Sequence, residues 1–224
     1  MTKKLVAEAI GTFFLVLTVG MTVLPPGAGQ LAPLAIGFTL AIMVYATGHV
    51  SGGHLNPAVT LGVFMRGKAT AAEAIGYWIA QLLAGVLAGL VVRYVFKGGL
   101  ALPAVAPLDA GPAFLAEFLF TFALVFVVLN TATVKGTEGN SFYGFAIGGT
   151  VLVGAYAVAP ISGAAFNPAV ALGAIVMNMA RAGDFWIYLG AELAGGAAAA
   201  LVFNGLRLGG EEPAAKQAET AAAA

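Results

Sequence analysis

Two Asn-Pro-Ala triplets, 56–58 and 167–169, stand 111 residues apart in a chain of 224. Each follows a Ser-Gly pair at the same distance, Ser51-Gly52 and Ser162-Gly163. Asn is a strong N-cap and Pro is favoured at the first helical position, so each triplet reads as a helix start. A helix start gathers unpaired N–H groups and partial positive charge. If the side-chain oxygens of Asn56 and Asn167 cap their helices, the amide N–H groups remain as donors. Such a site holds a neutral molecule by its lone pair and repels a cation. Covalent chemistry has much less to draw on. With no Cys and only His49 and His54, thiolate chemistry, disulfides and multi-histidine metal sites are excluded. Ser51 and Ser162 lie near the histidines, but Gly-x-Ser-Gly and buried Asp-x-Asp patterns are missing. No catalytic residue, metal or cofactor is assigned.

The rest of the chain must hold these triplets in an apolar medium. Sixty per cent of residues are hydrophobic and 9% charged, with a mean hydropathy of +0.95 and a formal net charge of zero. Soluble domains are about 25% charged, so a water-facing surface is excluded. Disorder requires the opposite composition, and neutrality gives no case for nucleic acid. A helix needs about 20 apolar residues to cross a bilayer. Six runs qualify, at about 4–24, 32–50, 71–96, 112–131, 142–160 and 184–206. Two shorter stretches, about 56–65 and 167–178, begin at the Asn-Pro pairs and are too short to span. They read as half-helices. The expected fold is an all-α membrane protein of six transmembrane helices and two re-entrant half-helices. One channel-sized domain covers 1–208, and 209–224 forms a polar tail.

The triplets belong to an internal repeat. VSGGHLNPAVTLG (50–62) matches ISGAAFNPAVALG (161–173) at eight of thirteen positions. At the same offset Ala35-Ile36-Gly37 falls on Ala146-Ile147-Gly148, Tyr77 on Tyr188, Gln81 on Glu192 and Gly85 on Gly196; AEAIGTFFLV (7–16) resembles AEFLFTFALV (116–125). Repeat 1 spans about 4–96 and repeat 2 about 112–208. Three spans per repeat is an odd number, so the second copy enters from the opposite side and the repeats are inverted. The half-helices therefore dip in from opposite faces and meet near the midplane. Non-helical backbone at that depth must be buried or line a wet cavity. The segments 49–55 and 160–166, with Gly52, Gly53, Gly163 and Ala165 among them, are such backbone, and their unpaired carbonyls imply a polar pore. With the N-terminus inside, seven of ten basic residues (Lys3, Lys4, Arg66, Lys68, Lys135, Arg207, Lys216) face the cytoplasm, as the positive-inside rule asks. Both termini are then cytoplasmic, and a prokaryotic cytoplasmic membrane is expected.

Paired Asn-Pro-Ala boxes, each preceded by Ser-Gly, in inverted three-span repeats resemble the aquaporin, or major intrinsic protein, family over essentially the whole chain. The resemblance implies a passive channel for water and small neutral solutes, assembled as a homotetramer with one pore per subunit. It places Asn56, Pro57, Ala58, Asn167, Pro168 and Ala169 at the central constriction. It gives Glu8 and Glu117 the role of buried carboxylates bracing the pore loops, with His54 against Glu8. The four positions of the family's outer filter fall on Ile36, Ala155, Ala164 and Val170. Most members have Arg where Val170 stands, and water-selective ones commonly have His where Ala155 stands. Some plant vacuolar members also carry Val after the second box, at the position of Val170, and that group resembles broad channels for water, urea, ammonia or peroxide. A wide, apolar filter is expected. A facilitator for glycerol, urea or metalloid acids with little part in water flow is the alternative reading; a proton-coupled transporter using Glu8 and Glu117 is a more remote one. Glu192 and its repeat counterpart Gln81 are expected to make a common type of polar contact rather than a charge-specific one, and His49 to line a cytoplasmic vestibule or act as a pH-dependent constriction.

Overall fold

A computed structural model describes residues 1–99 and 104–210; most of the expected tail, 211–224, lies outside the described residues. All regular structure among the described residues is helical. The long helices are α1 (Thr2–Val23), α2 (Ala32–Ser51), α4 (Ala71–Leu90), α5 (Ala110–Ala132), α6 (Tyr143–Ser162) and α8 (Phe185–Gly205), and the half-helices are α3 (Pro57–Met65) and α7 (Pro168–Val176). All six long elements are long and apolar enough to cross a membrane. Most boundaries agree with the sequence reading to within two residues because Gly, Pro and Asn punctuate them. Helix α4 itself stops at Leu90, the rest of the expected span 71–96 being π-helical. The non-helical pore-loop backbone begins at 52 and 163, not at 49 and 160, because α2 and α6 run on to Ser51 and Ser162.

Helix ends show how the sequence closes each element. Thr70 and Glu73 form a capping box at the start of α4, and Lys4 pairs with Glu73, tying the start of α1 to it. The far end of α4 widens into a π-helical turn, Val91–Phe96. That turn brings Arg93 to the Val176 carbonyl at the end of α7 (2.9 Å). The Lys97 ammonium donates to the Leu24 and Pro25 carbonyls just beyond α1 (3.1 and 3.0 Å). Cations thus meet the carbonyls left over at two helix C-termini.

The two repeats interlock. Half-helix α3 of the first packs on α8 of the second, and α7 of the second on α4 of the first. Lipid is as apolar as Leu, so close contact of small residues, rather than the hydrophobic effect, holds such helices together. Two glycines related by the repeat make this possible. A methyl group at Gly85 would lie 2.4 Å from the Ala169 carbonyl oxygen, and one at Gly196 would lie 2.7 Å from that of Ala58. Both long helices therefore run against the first turn of a half-helix, with no room for a side chain between. The bulky apolar side chains left outside, such as Ile42, Leu83, Leu119 and Val153, are exposed on the outer surface, where a bilayer would cover them.

Candidate permeation site

Each pore loop turns on backbone that only part of its sequence advertises. Gly52 and Gly163 end α2 and α6 in left-handed conformation (φ 92° and 88°). Gly53 and Ala164 (61° and 56°) and Leu55 and Phe166 (52° and 50°) are left-handed as well. Three of these six positions carry a side chain, which disfavours that region. Something must hold them there, and in each repeat it is a buried glutamate.

The Glu8 carboxylate accepts from the Ser51 hydroxyl (2.6 Å), the backbone N–H groups of His54 (2.9 Å) and Leu55 (2.6 Å), and the Gln81 amide (2.8 Å). Glu117 accepts from the Ser162 hydroxyl (2.6 Å) and the N–H groups of Ala165 (3.0 Å) and Phe166 (2.7 Å). Both glutamates are fully buried. The Tyr77 and Tyr188 hydroxyls clamp the loop entrances by donating to the Ser51 and Ser162 carbonyls (2.7 and 2.6 Å). It is the amide of His54 that meets Glu8. Its imidazole turns away to the Thr60 hydroxyl (3.1 Å), lies edge-on to Tyr77, and borders the cavity.

The triplets then meet at the centre. The Asn56 side-chain oxygen caps α3 by accepting from Ala58 N–H (2.8 Å), and that of Asn167 caps α7 from Ala169 N–H (3.0 Å). Each amide also reaches across the pseudo-two-fold axis. Asn56 donates to the Phe166 carbonyl (2.8 Å) and Asn167 to the Leu55 carbonyl (2.9 Å). An amide has two N–H donors, so each Asn spends one on the opposite loop and keeps one for a passing molecule. The carbonyls of residues 52–54 and 163–165 take no donor from the described residues, and His54, Gly163, Ala164 and Ala165 border a cavity at that point.

A cavity of about 880 Å³ contains this centre. Its wall includes His54, Asn56, Val59, Asn167 and, on the side where α1 ends, Ile36, Ala155, Ala164 and Val170. Val170 occupies in α7 the place Val59 has in α3, and both border the cavity. His49 does not border this cavity; its side chain is exposed at the last turn of α2. The Asn-to-carbonyl links and the parts played by Thr60 and Gln81 were missed in the sequence. The repeat offset held the signal, since Gln81 and Glu192 are counterparts.

Inverted three-helix repeats, two half-helices joined tip to tip, and a polar track through an apolar bundle define a transmembrane channel. The chain belongs to the major intrinsic protein family, whose family model matches residues 1–203. It is 36% identical to aquaporin NIP1-4 of Oryza sativa subsp. japonica over 93% of this chain and 78% of that one. It is also 36% identical to nodulin-26 of Glycine max over 92% and 78%. Aquaporin TIP1-1 of Arabidopsis thaliana is 40% identical over 77% and 70%. The fold is shared with the X-ray structure of the aquaglyceroporin from Plasmodium falciparum, at 21% identity and a TM-score of 0.75, over 90% of this chain and 95% of that one. The protein is thus an integral, multi-pass membrane channel for water and small solutes. These sequence relatives are plant proteins, and they give no support to the expected prokaryotic membrane.

Proposed function

We propose that this channel is a permissive passive conduit for water and for neutral solutes larger than water. Ile36, Ala155, Ala164 and Val170 form its selectivity filter, and the amides of Asn56 and Asn167 form its central constriction. The observation that carries the reading is chemical: these four side chains border the cavity and are all hydrocarbon, and two of them are single methyl groups. No fixed cation or imidazole narrows the passage there or donates to the solute. Selection by size and by hydrogen bonding is therefore weak, and cations are turned back mainly by the half-helix N-termini and by the low dielectric around them. Within this reading residues 1–208 are one channel domain, both termini are cytoplasmic, and four copies assemble with one pore each.

Stopped-flow permeability of proteoliposomes tests the filter. The wild type should pass water, glycerol and urea. Val170→Arg should lower glycerol and urea permeability at least tenfold while sparing water more. Water flow without uptake of either solute in the wild type would sink the permissive filter. Equal permeabilities in wild type and variant would remove Val170 from it.

A further inference from the structure

The two braces differ at one atom-level detail. In the first repeat the fourth donor to the Glu8 carboxylate is the Gln81 amide, which also reaches the Thr60 hydroxyl (3.1 Å). In the second repeat the corresponding residue is Glu192 on α8, and α8 packs directly on α5 at this level. A methyl group at Gly195 would lie 2.5 Å from the carbonyl oxygen of Phe118, the residue after Glu117, and the two buried carboxyls interact. Glu192 is fully buried, and neither of its oxygens accepts a hydrogen bond of normal geometry among the described residues. Ala171 and Ala165 stand where the first repeat has Thr60 and His54, so the hydroxyl and imidazole of that pocket are gone.

No cation compensates the pair. Glu117 is the one ionisable residue of α5, and α3, α7 and the loop 163–167 have none. On α8 itself only Tyr188 joins Glu192, with its hydroxyl spent on Ser162; Asp184 lies two turns away, in the turn before the helix. The Asn167 N–H faces Glu192 but brings no full charge. Two adjacent carboxylates in a dry interior, with no cation, are not both ionised.

We infer that Glu192 is held as a carboxylic acid and donates its proton in a hydrogen bond to the Glu117 carboxylate, supplying the donor that Gln81 supplies to Glu8. Glu192 is then a positioning residue. It completes the four-donor shell of the carboxylate that holds Ala165 and Phe166, and so sets the carbonyl on which Asn56 is fixed. It also makes the second loop sensitive to alkali in a way the first is not, because loss of this proton turns a hydrogen bond into a repulsion. The functional part rests on the channel reading; the protonation state does not.

Infrared spectroscopy of the reconstituted channel tests the protonation directly. The wild type should show a protonated-carboxyl C=O band that Glu192→Gln removes. Gln81→Glu, which places an acid beside Glu8, should add a second such band. Water permeability of the wild type should fall on the alkaline side. Glu192→Gln should retain permeability at neutral pH and lose the alkaline fall. A carboxyl band left unchanged by Glu192→Gln overturns the proposal, whatever the channel conducts. An alkaline fall of the same size in Glu192→Gln overturns the positioning role.

Discussion

Replacing Glu8 by Gln removes one charge and almost no volume, and the geometry allows its cost to be worked out. One carboxylate oxygen accepts from Ser51 and His54, the other from Leu55 and Gln81. A glutamine has one oxygen, so it can serve one of these pairs, and its NH₂ then faces the two donors of the other. Each buried donor left without an acceptor costs about 1–3 kcal/mol. Turned toward Ser51 and His54, the NH₂ strands the His54 N–H alone, because the Ser51 hydroxyl can rotate to accept from the NH₂. Turned toward Leu55 and Gln81, it strands the Leu55 N–H, and a Gln81 amide that turns over to offer its oxygen carries its own NH₂ to the buried place where that oxygen had no partner. The cost is about 1–3 kcal/mol for one stranded donor and roughly 2–6 kcal/mol for two. The net effect is a sizeable part of a typical folding free energy of about 5–15 kcal/mol, and it falls on the His54-Leu55 segment, where Leu55 is left-handed. Leu55 should relax, releasing the carbonyl that holds Asn167. The variant is expected to unfold earlier in a detergent titration and to lose water permeability in liposomes. Thr60→Ala, which leaves the Glu8 shell intact but takes the hydroxyl from the Gln81 amide and the His54 ring, should cost about 1–3 kcal/mol. A Glu8→Gln channel less than about 1 kcal/mol below wild type, with unchanged permeability, would refute the four-donor account.

Gly85→Ala and Gly196→Ala should each destabilise by about 1–3 kcal/mol, because the added methyl meets a backbone carbonyl rather than a flexible side chain. Gly149→Ala, which meets nothing within 4 Å, serves as the neutral comparison in the same detergent titration. Mercurials should leave the wild type unaffected, since it has no Cys, and should block Val170→Cys, whose side chain borders the cavity. Leu83→Cys, on the outer surface, should stay open under the same treatment in a liposome swelling assay.

Much of the architecture was legible because membranes restrict the choices. A run of about 20 apolar residues with Gly, Pro or charge at its ends has little alternative to a spanning helix. Asn56-Pro57 and Asn167-Pro168 announce helix starts whatever surrounds them. The parity of the spans then gives the inversion without any coordinates. What stayed hidden is tertiary. Leu55 and Phe166 carry no local sign of left-handed backbone, since their conformation is imposed from α1 and α5 by Glu8 and Glu117. His54 lies beside Glu8 in the family pattern, yet its ring goes to Thr60, six residues along the same loop and half-helix. The four cavity-wall positions Ile36, Ala155, Ala164 and Val170 could be counted out from the triplets, but that Gln81 and Glu192 face the two braces required three-dimensional packing to see.

The reciprocal links between the triplets bear on how the protein is made. Asn56 is fixed by the carbonyl of a residue 110 positions later, and Asn167 by that of one 112 positions earlier. A chain entering the membrane N-terminus first therefore carries an unfinished loop through the synthesis of the whole second repeat. Half-helix α3 also waits for α8, the last helix among the described residues, to cover its first turn. Truncation after repeat 1 leaves half a bundle whose polar tip has nothing to close on. The pore centre is accordingly closed only by contacts between the two repeats, none of which either repeat can make alone.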